Sequence, residues 1–152
     1  MKILEITKEE YRRKYKKKIE AFLPDYARKA NRTIEEIKDD IDEALNNAII
    51  RFWVFLEKNE LKGFCIIELI HEIGQAMLDQ IYFVPGFDKL EHWRIVTYSI
   101  EKELRRWGVK KIFSISHKDF GCERKVKKYT NFVWPGLEPV GHLFVRRLEE
   151  DE

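Results

Sequence analysis

A chain of 152 residues with 44% hydrophobic and 13% aromatic content is sized for one folded domain with its own core, which argues against a disordered chain or a small disulfide-held scaffold. A net charge of +2 sets up no global attraction to nucleic acid or anionic membrane, and no apolar run is long enough to span a bilayer. Two cysteines, Cys65 and Cys122, make no disulfide framework, and the N-terminus carries no apolar signal region, so a soluble cytoplasmic protein is expected.

Residues 2–7 read as a short strand. Thr7, with Glu10 three positions on, opens a helix that Pro24 is expected to stop at about residue 23. Tyr11, Tyr15, Ile19 and Phe22 form its apolar face; Arg12, Arg13, Lys14, Lys16, Lys17 and Lys18 make the other face basic. After a connector over 25–32, Thr33 and Glu36 open a second helix to about 46, with Ile34, Ile37, Ile41 and Leu45 inward and an acidic outer face. A meander follows: a strand at 49–58, a turn at Asn59-Glu60, a strand at 61–71, a turn at 72–74 and a strand at 76–84. Val84-Pro85-Gly86 ends the third of these strands.

Asp88 and Glu91 read as a capping box for a helix over 88–107, whose buried face is Leu90, Trp93, Val96, Ile100, Leu104 and Trp107. Gly108 ends it, and 109–116 reads as a buried strand. Strand, loop, helix and strand form a crossover, so strands 76–84 and 109–116 are expected to be parallel neighbours. A short basic helix at 122–129, a loop at 132–139 and a last strand at 140–148 complete a domain over 1–148, with an acidic tail at 149–152. The order β-α-α-β-β-β-α-β-α-β defines a single-domain α/β fold around a mixed sheet.

This order resembles the GNAT superfamily of acyl-CoA-dependent N-acyltransferases over nearly the whole chain. Gln80-Ile81-Tyr82-Phe83-Val84-Pro85 is similar to that family's fourth strand. Lys128-Tyr129-Thr130-Asn131-Phe132 with Leu137-Glu138-Pro139-Val140-Gly141 is similar to its Tyr-x-x-x-Gly-Phe-x-Pro-Val-Gly ending, with Val133-Trp134-Pro135-Gly136 inserted. The resemblance implies a CoA or acetyl-CoA cofactor. Its pyrophosphate would be held at the loop after strand 76–84, by Phe83, Val84 and Gly86 with Lys89 and Arg94 as cations. The family's glycine-rich loop is missing, however: Asp88 stands where the family has Gln or Arg, and Glu91 and Trp93 where it has glycines. That implies a degenerate CoA site with two carboxylates toward the phosphates and an intruding Trp93. Helix capping by Asp88 and Glu91, and core packing of Trp93, are the plainer roles.

Tyr129 matches the family tyrosine that protonates the departing thiolate, a role that suits a phenol. Asp79 and Glu68, in the central strands, are candidate general bases, with solvated strand-face carboxylates as the plainer account. His117 ends the fifth strand at the edge where α/β sheets bind ligands. The four histidines match no metal motif, and neither a Gly-x-Ser-x-Gly elbow nor a P-loop is present. Two readings follow. One is an N-acyltransferase acting on an amine-bearing small molecule or peptide, with the acidic second helix suited to a cationic acceptor. The other is a non-catalytic binding or structural module, of viral or mobile-element type, whose basic helices meet a protein or nucleic-acid partner. Acidic and basic helices can also pair between two copies, which would give a homodimer.

Overall fold

The structure, a computed structural model, describes residues 1–47, 49–70, 74–114, 138–140 and 143–148. Strands β1 (Lys2–Ile6), β2 (Ile50–Glu57), β3 (Glu60–Ile70), β4 (Gln75–Phe83), β5 (Lys111–Ser114), β6 (Glu138–Val140) and β7 (Leu143–Arg147) form one sheet in the order β1-β2-β3-β4-β5-β7-β6. Only the β4–β5 pair is parallel among these ladders. That is the crossover expected from the strand, loop and helix pattern, and α4 (Leu90–Arg106) makes the connection. Strand 140–148 proves to be two: Val140 closes β6 and pairs with Leu143 of β7. Pro139 is tolerated there because β6 lies at the sheet edge. The expected helix at 122–129 lies outside the described residues.

Each face of the sheet carries a core. On one side Trp93, Val96, Ile100 and Leu104 of α4 pack on Trp53, Phe55, Cys65, Ile67, Leu78 and Phe83. On the other side the first helices cover Phe52, Val54, Phe64, Ile66 and Tyr82. Across the α4 side, Glu101 is buried and meets Arg146 at 3.0 Å and Arg105 at 3.7 Å, tying the helix to β7. Among the described residues no helix is long and apolar enough to cross a membrane.

The first helix corrects the expectation at Pro24. The segment begins as α1 (Lys8–Glu10), with the Thr7–Glu10 capping box formed in both directions at 3.1 Å. It widens into a π-helical turn at Tyr11–Tyr15, where the Lys16 amide bonds the Tyr11 carbonyl, and continues as α2 (Lys16–Ala30). Tyr11, Tyr15, Ile19, Leu23 and Ala27 are all buried, at strict intervals of four. In a pure α-helix each step of four overshoots a turn by about 40°, so the wider turn brings the row back toward the sheet. Burial of Leu23, Tyr26 and Ala27 carries the helix through Pro24, and the left-handed Asn31 (φ 56°) ends it. Because Pro24 sits exposed in a helix interior, Pro24→Ala is expected to stabilise the protein by about 2–3 kcal/mol in urea titration.

The second helix, α3 (Ile34–Leu45), starts at Thr33, whose hydroxyl accepts from the Glu36 amide at 3.1 Å. The β2–β3 turn is Lys58-Asn59, one residue earlier than expected. Both residues have positive φ, as a twisted two-residue hairpin demands.

Candidate active site

The site is built on an irregularity in β4. The β3–β4 register runs from Gly63 opposite Phe83 to Ile66 opposite Gln80, then resumes with Ile67 opposite Leu78. Asp79 is the extra residue of a β-bulge. The bulge reverses the alternation. Ala76 and Leu78 pack on the α4 side before it, Ile81 and Phe83 pack there after it, and Tyr82 packs on the opposite side. Gln80 therefore faces the first helices, where the Tyr26 hydroxyl donates to its side-chain oxygen. The interval of three between Leu78 and Ile81, in a strand whose apolar residues otherwise alternate, is the sequence mark of this bulge.

Asp79 lies within the field of carboxylates from two elements. Its side chain reaches solvent, yet desolvation by surrounding protein atoms pushes its pKa from 3.8 up to about 7, helped by Glu68 of β3 and by Asp40 and Glu43 of α3. Glu68 accepts a hydrogen bond from Asn47 at 3.2 Å, and Asp40 pairs with Arg32 at 2.5 Å. The structure thus brings together the two carboxylates singled out in the sequence, and adds Asp40 and Glu43, which sequence reading placed only on an acidic helix face. A carboxylate titrating near neutrality is matched to proton abstraction at physiological pH. Cys65, fully buried in the core on the α4 side, has its thiol pushed up by burial and by the Asp79 charge, which makes it a poor nucleophile. Among the described residues no three His, Cys, Asp or Glu side chains converge to hold a metal ion.

A second cluster joins the end of α2 to β4 and to the loop behind it. The Tyr82 hydroxyl donates to Asp25 at 2.6 Å, and Arg28 meets the same carboxylate at 2.6 Å. The Tyr82 bond holds the Asp25 pKa down against desolvation, with Arg28 and Lys29 helping, while burial and Asp25 push the Tyr82 phenol up. Lys29 lies 3.2 Å from Asp25 and 3.2 Å from Asp88.

The loop after β4 differs from expectation at its helix end. The expected Asp88–Glu91 capping box does not form. Lys89 is the N-cap, and its ammonium has no acceptor with which to cap; the Asp88 carboxylate lies 3.2 Å from Lys29 instead of on the helix amides. The first backbone bonds run from His92 and Trp93 to the Lys89 carbonyl, at 2.9 and 3.1 Å. Gly86 has φ 84°, and among the described residues no atom lies within 4 Å of where a Cβ would stand. Trp93 is core, 8% exposed and edge-on to Phe83 at 4.6 Å. The Phe83 side chain is equally interior, stacked on Phe55 at 5.0 Å, so its backbone is what a ligand would meet. The Val84 amide is engaged with the Lys62 carbonyl at 2.8 Å, and Lys89 and Arg94 are exposed. Beyond Leu78, paired with Ser114, β4 has no β5 partner among the described residues. Tyr129 and His117 lie outside the described residues.

A sheet with one parallel pair at its centre and a helix crossing from the fourth strand to the fifth agrees with the fold expected from the GNAT resemblance. No family model and no curated protein matches the sequence, but solved structures match the fold. An acetyltransferase from Thermus thermophilus superposes with TM-score 0.69 at 16% identity, covering 97% of this chain and 96% of its own. The PaiA N-acetyltransferase of Thermoplasma acidophilum, solved with coenzyme A, gives 0.57 at 16% identity over 97% and 100%. The aminoglycoside 6'-N-acetyltransferase of Enterococcus faecium gives 0.60 at 17% over 97% and 97%. The chain has the GNAT fold.

Proposed function

We propose that this protein is an acyl-CoA-dependent N-acyltransferase whose acceptor is a cationic amine. The observation that carries the reading is Asp79, set by a bulge among Glu68, Asp40 and Glu43 and poised near pH 7. The loop fits the cofactor that the fold implies. At the start of α4 the amides of Leu90 and Glu91 have no bond among the described residues and can meet an anion, Gly86 permits close backbone approach, and Lys29 offsets the Asp88 charge. Glu91 remains exposed in the first turn, so pyrophosphate affinity below that of a glycine-rich loop is expected. Acyl-CoA, when bound, would supply the activated thioester carbonyl, with the CoA thiolate as leaving group. The acidic group of Glu68, Asp40 and Glu43 attracts the protonated acceptor, and Asp79 Oδ takes the amine proton directly or through water. Glu68 is the alternative base. Tyr129 Oη is the donor assigned to the leaving thiolate, by its match to the family motif.

The test is calorimetric titration with acetyl-CoA and free CoA at moderate salt, followed by transfer assays on a polyamine, a lysine peptide and an aminoglycoside. Micromolar binding, about −8 kcal/mol, with transfer to these polycations and not to neutral amines, is expected. No binding up to about 1 mM, weaker than roughly −4 kcal/mol, would remove the donor and with it the enzyme. One observation favours the second reading, a binding module. Arg12, Arg13, Lys14, Lys16, Lys17 and Lys18 are all exposed, and among the described residues only Lys16 has an ion pair, with Glu20 at 4.0 Å. Without CoA binding, that row makes an anionic partner such as nucleic acid the next ligand to titrate.

A further inference from the structure

Asp88 has two possible partners. Its place in the sequence, three residues before Glu91, suits it to cap α4, and aspartate is among the strongest N-caps. In the structure it does not cap. Its Oδ2 lies 3.2 Å from Lys29 Nζ, and the helix starts without a side-chain cap. Lys29 is held for this purpose from its own side. Asp25, one turn back on α2, takes the same ammonium at 3.2 Å, and the Tyr82 ring lies 5.6 Å beneath it. Asp25 is itself fixed by Tyr82 at 2.6 Å and Arg28 at 2.6 Å. The lysine therefore projects from an organised patch of α2 and β4 toward the loop, and only about one third of it is exposed.

We infer that Lys29 is a positioning residue that holds the Asp88 carboxylate off the amino end of α4, keeping those amides free for the phosphates of the acyl donor. Without Lys29, Asp88 is an internal anion beside the site, able to cap the helix and compete with the ligand. The inference rests on the acyltransferase reading for the identity of the ligand. The Lys29–Asp88 arrangement itself can be tested without any ligand.

The experiment compares wild type, Lys29→Met, Lys29→Arg, Asp88→Ala and the double variant Lys29→Met/Asp88→Ala. Two readouts are used: CoA titration, and amide hydrogen exchange of the ligand-free protein. In Lys29→Met, CoA binding is expected to weaken about tenfold or more, while exchange at Leu90 and Glu91 slows as Asp88 takes up the cap. In the double variant both changes should reverse, with affinity within about twofold of wild type. Lys29→Arg should bind like wild type. A lysine that served only to hold shape would not be rescued by removing Asp88. Unchanged CoA affinity in Lys29→Met, or no rescue by Asp88→Ala, overturns the inference. If wild type does not bind CoA but the exchange pattern appears, the acyltransferase reading falls while the hold of Lys29 on Asp88 stands. If neither appears, both fall.

Discussion

Asp79→Asn is expected to lower kcat by about a hundredfold or more at pH 8 while leaving CoA affinity unchanged, because the amide cannot accept the acceptor's proton. The wild-type rate should rise with pH through about 7, the value to which desolvation and the Glu68, Asp40 and Glu43 charges push Asp79. The variant should lose that limb and keep only the rise due to the amine itself. Stability should move the other way. Asp79 has a folded pKa raised from 3.8 to about 7, so between those values the folded state holds a proton that the unfolded chain has released. Stability is therefore full below about pH 4 and declines as pH rises through about 7. Because the side chain reaches solvent, the loss is discounted for screening to about 1 kcal/mol. The Asn variant should be more stable than wild type by that amount at pH 8 and equal to it at pH 4, by thermal unfolding across pH. A variant that loses activity and gains stability marks a carboxylate kept for chemistry. Unchanged kcat would shift the base to Glu68, and an unaltered pH profile would remove Asp79 from the reaction.

The β4–β5 crossover and most of the α4 face were legible because apolar periodicity reports burial directly, as Val96, Ile100 and Leu104 do here; Leu90, expected on the same face, is exposed in the first turn. Capping boxes were legible where nothing competed for the cap, as at Thr7 and Glu10. The same local rule failed at Asp88, because the ion pair with Lys29, 59 residues away, outcompeted the helix end. It failed at Pro24 because burial of the row on either side outweighs one lost helical bond. The candidate bases Asp79 and Glu68 were legible by strand position, but not what sets Asp79 apart. The bulge could have been read from the interval between Leu78 and Ile81. The approach of Asp40 and Glu43 could not, since it depends on how α3 lies across the sheet.

Gly63→Ala is expected to cost about 3 kcal/mol or more in chemical denaturation, the largest single-residue effect on the fold proposed here. Gly63 lies on β3 opposite both Phe55 and Phe83, whose rings stack at 5.0 Å. A Cβ there would sit 2.1 Å from the Tyr82 carbonyl oxygen and 2.9 Å from Phe55 Cδ2. The first contact is with backbone, which no rotamer change relieves; the strands themselves must part. The position also follows an irregularity, since the β2–β3 register skips between Phe55 and Leu56. Moving the Tyr82 backbone displaces the hydroxyl that fixes Asp25, and through Asp25 the lysine that holds Asp88. CoA affinity should therefore fall in whatever fraction of Gly63→Ala remains folded. Trimming the ring in Gly63→Ala/Phe55→Leu should recover little, because the carbonyl clash is untouched. A loss below about 1 kcal/mol in the single variant would show that β3 and β4 do not approach this closely. The path from this glycine to the cofactor loop would then be lost as well.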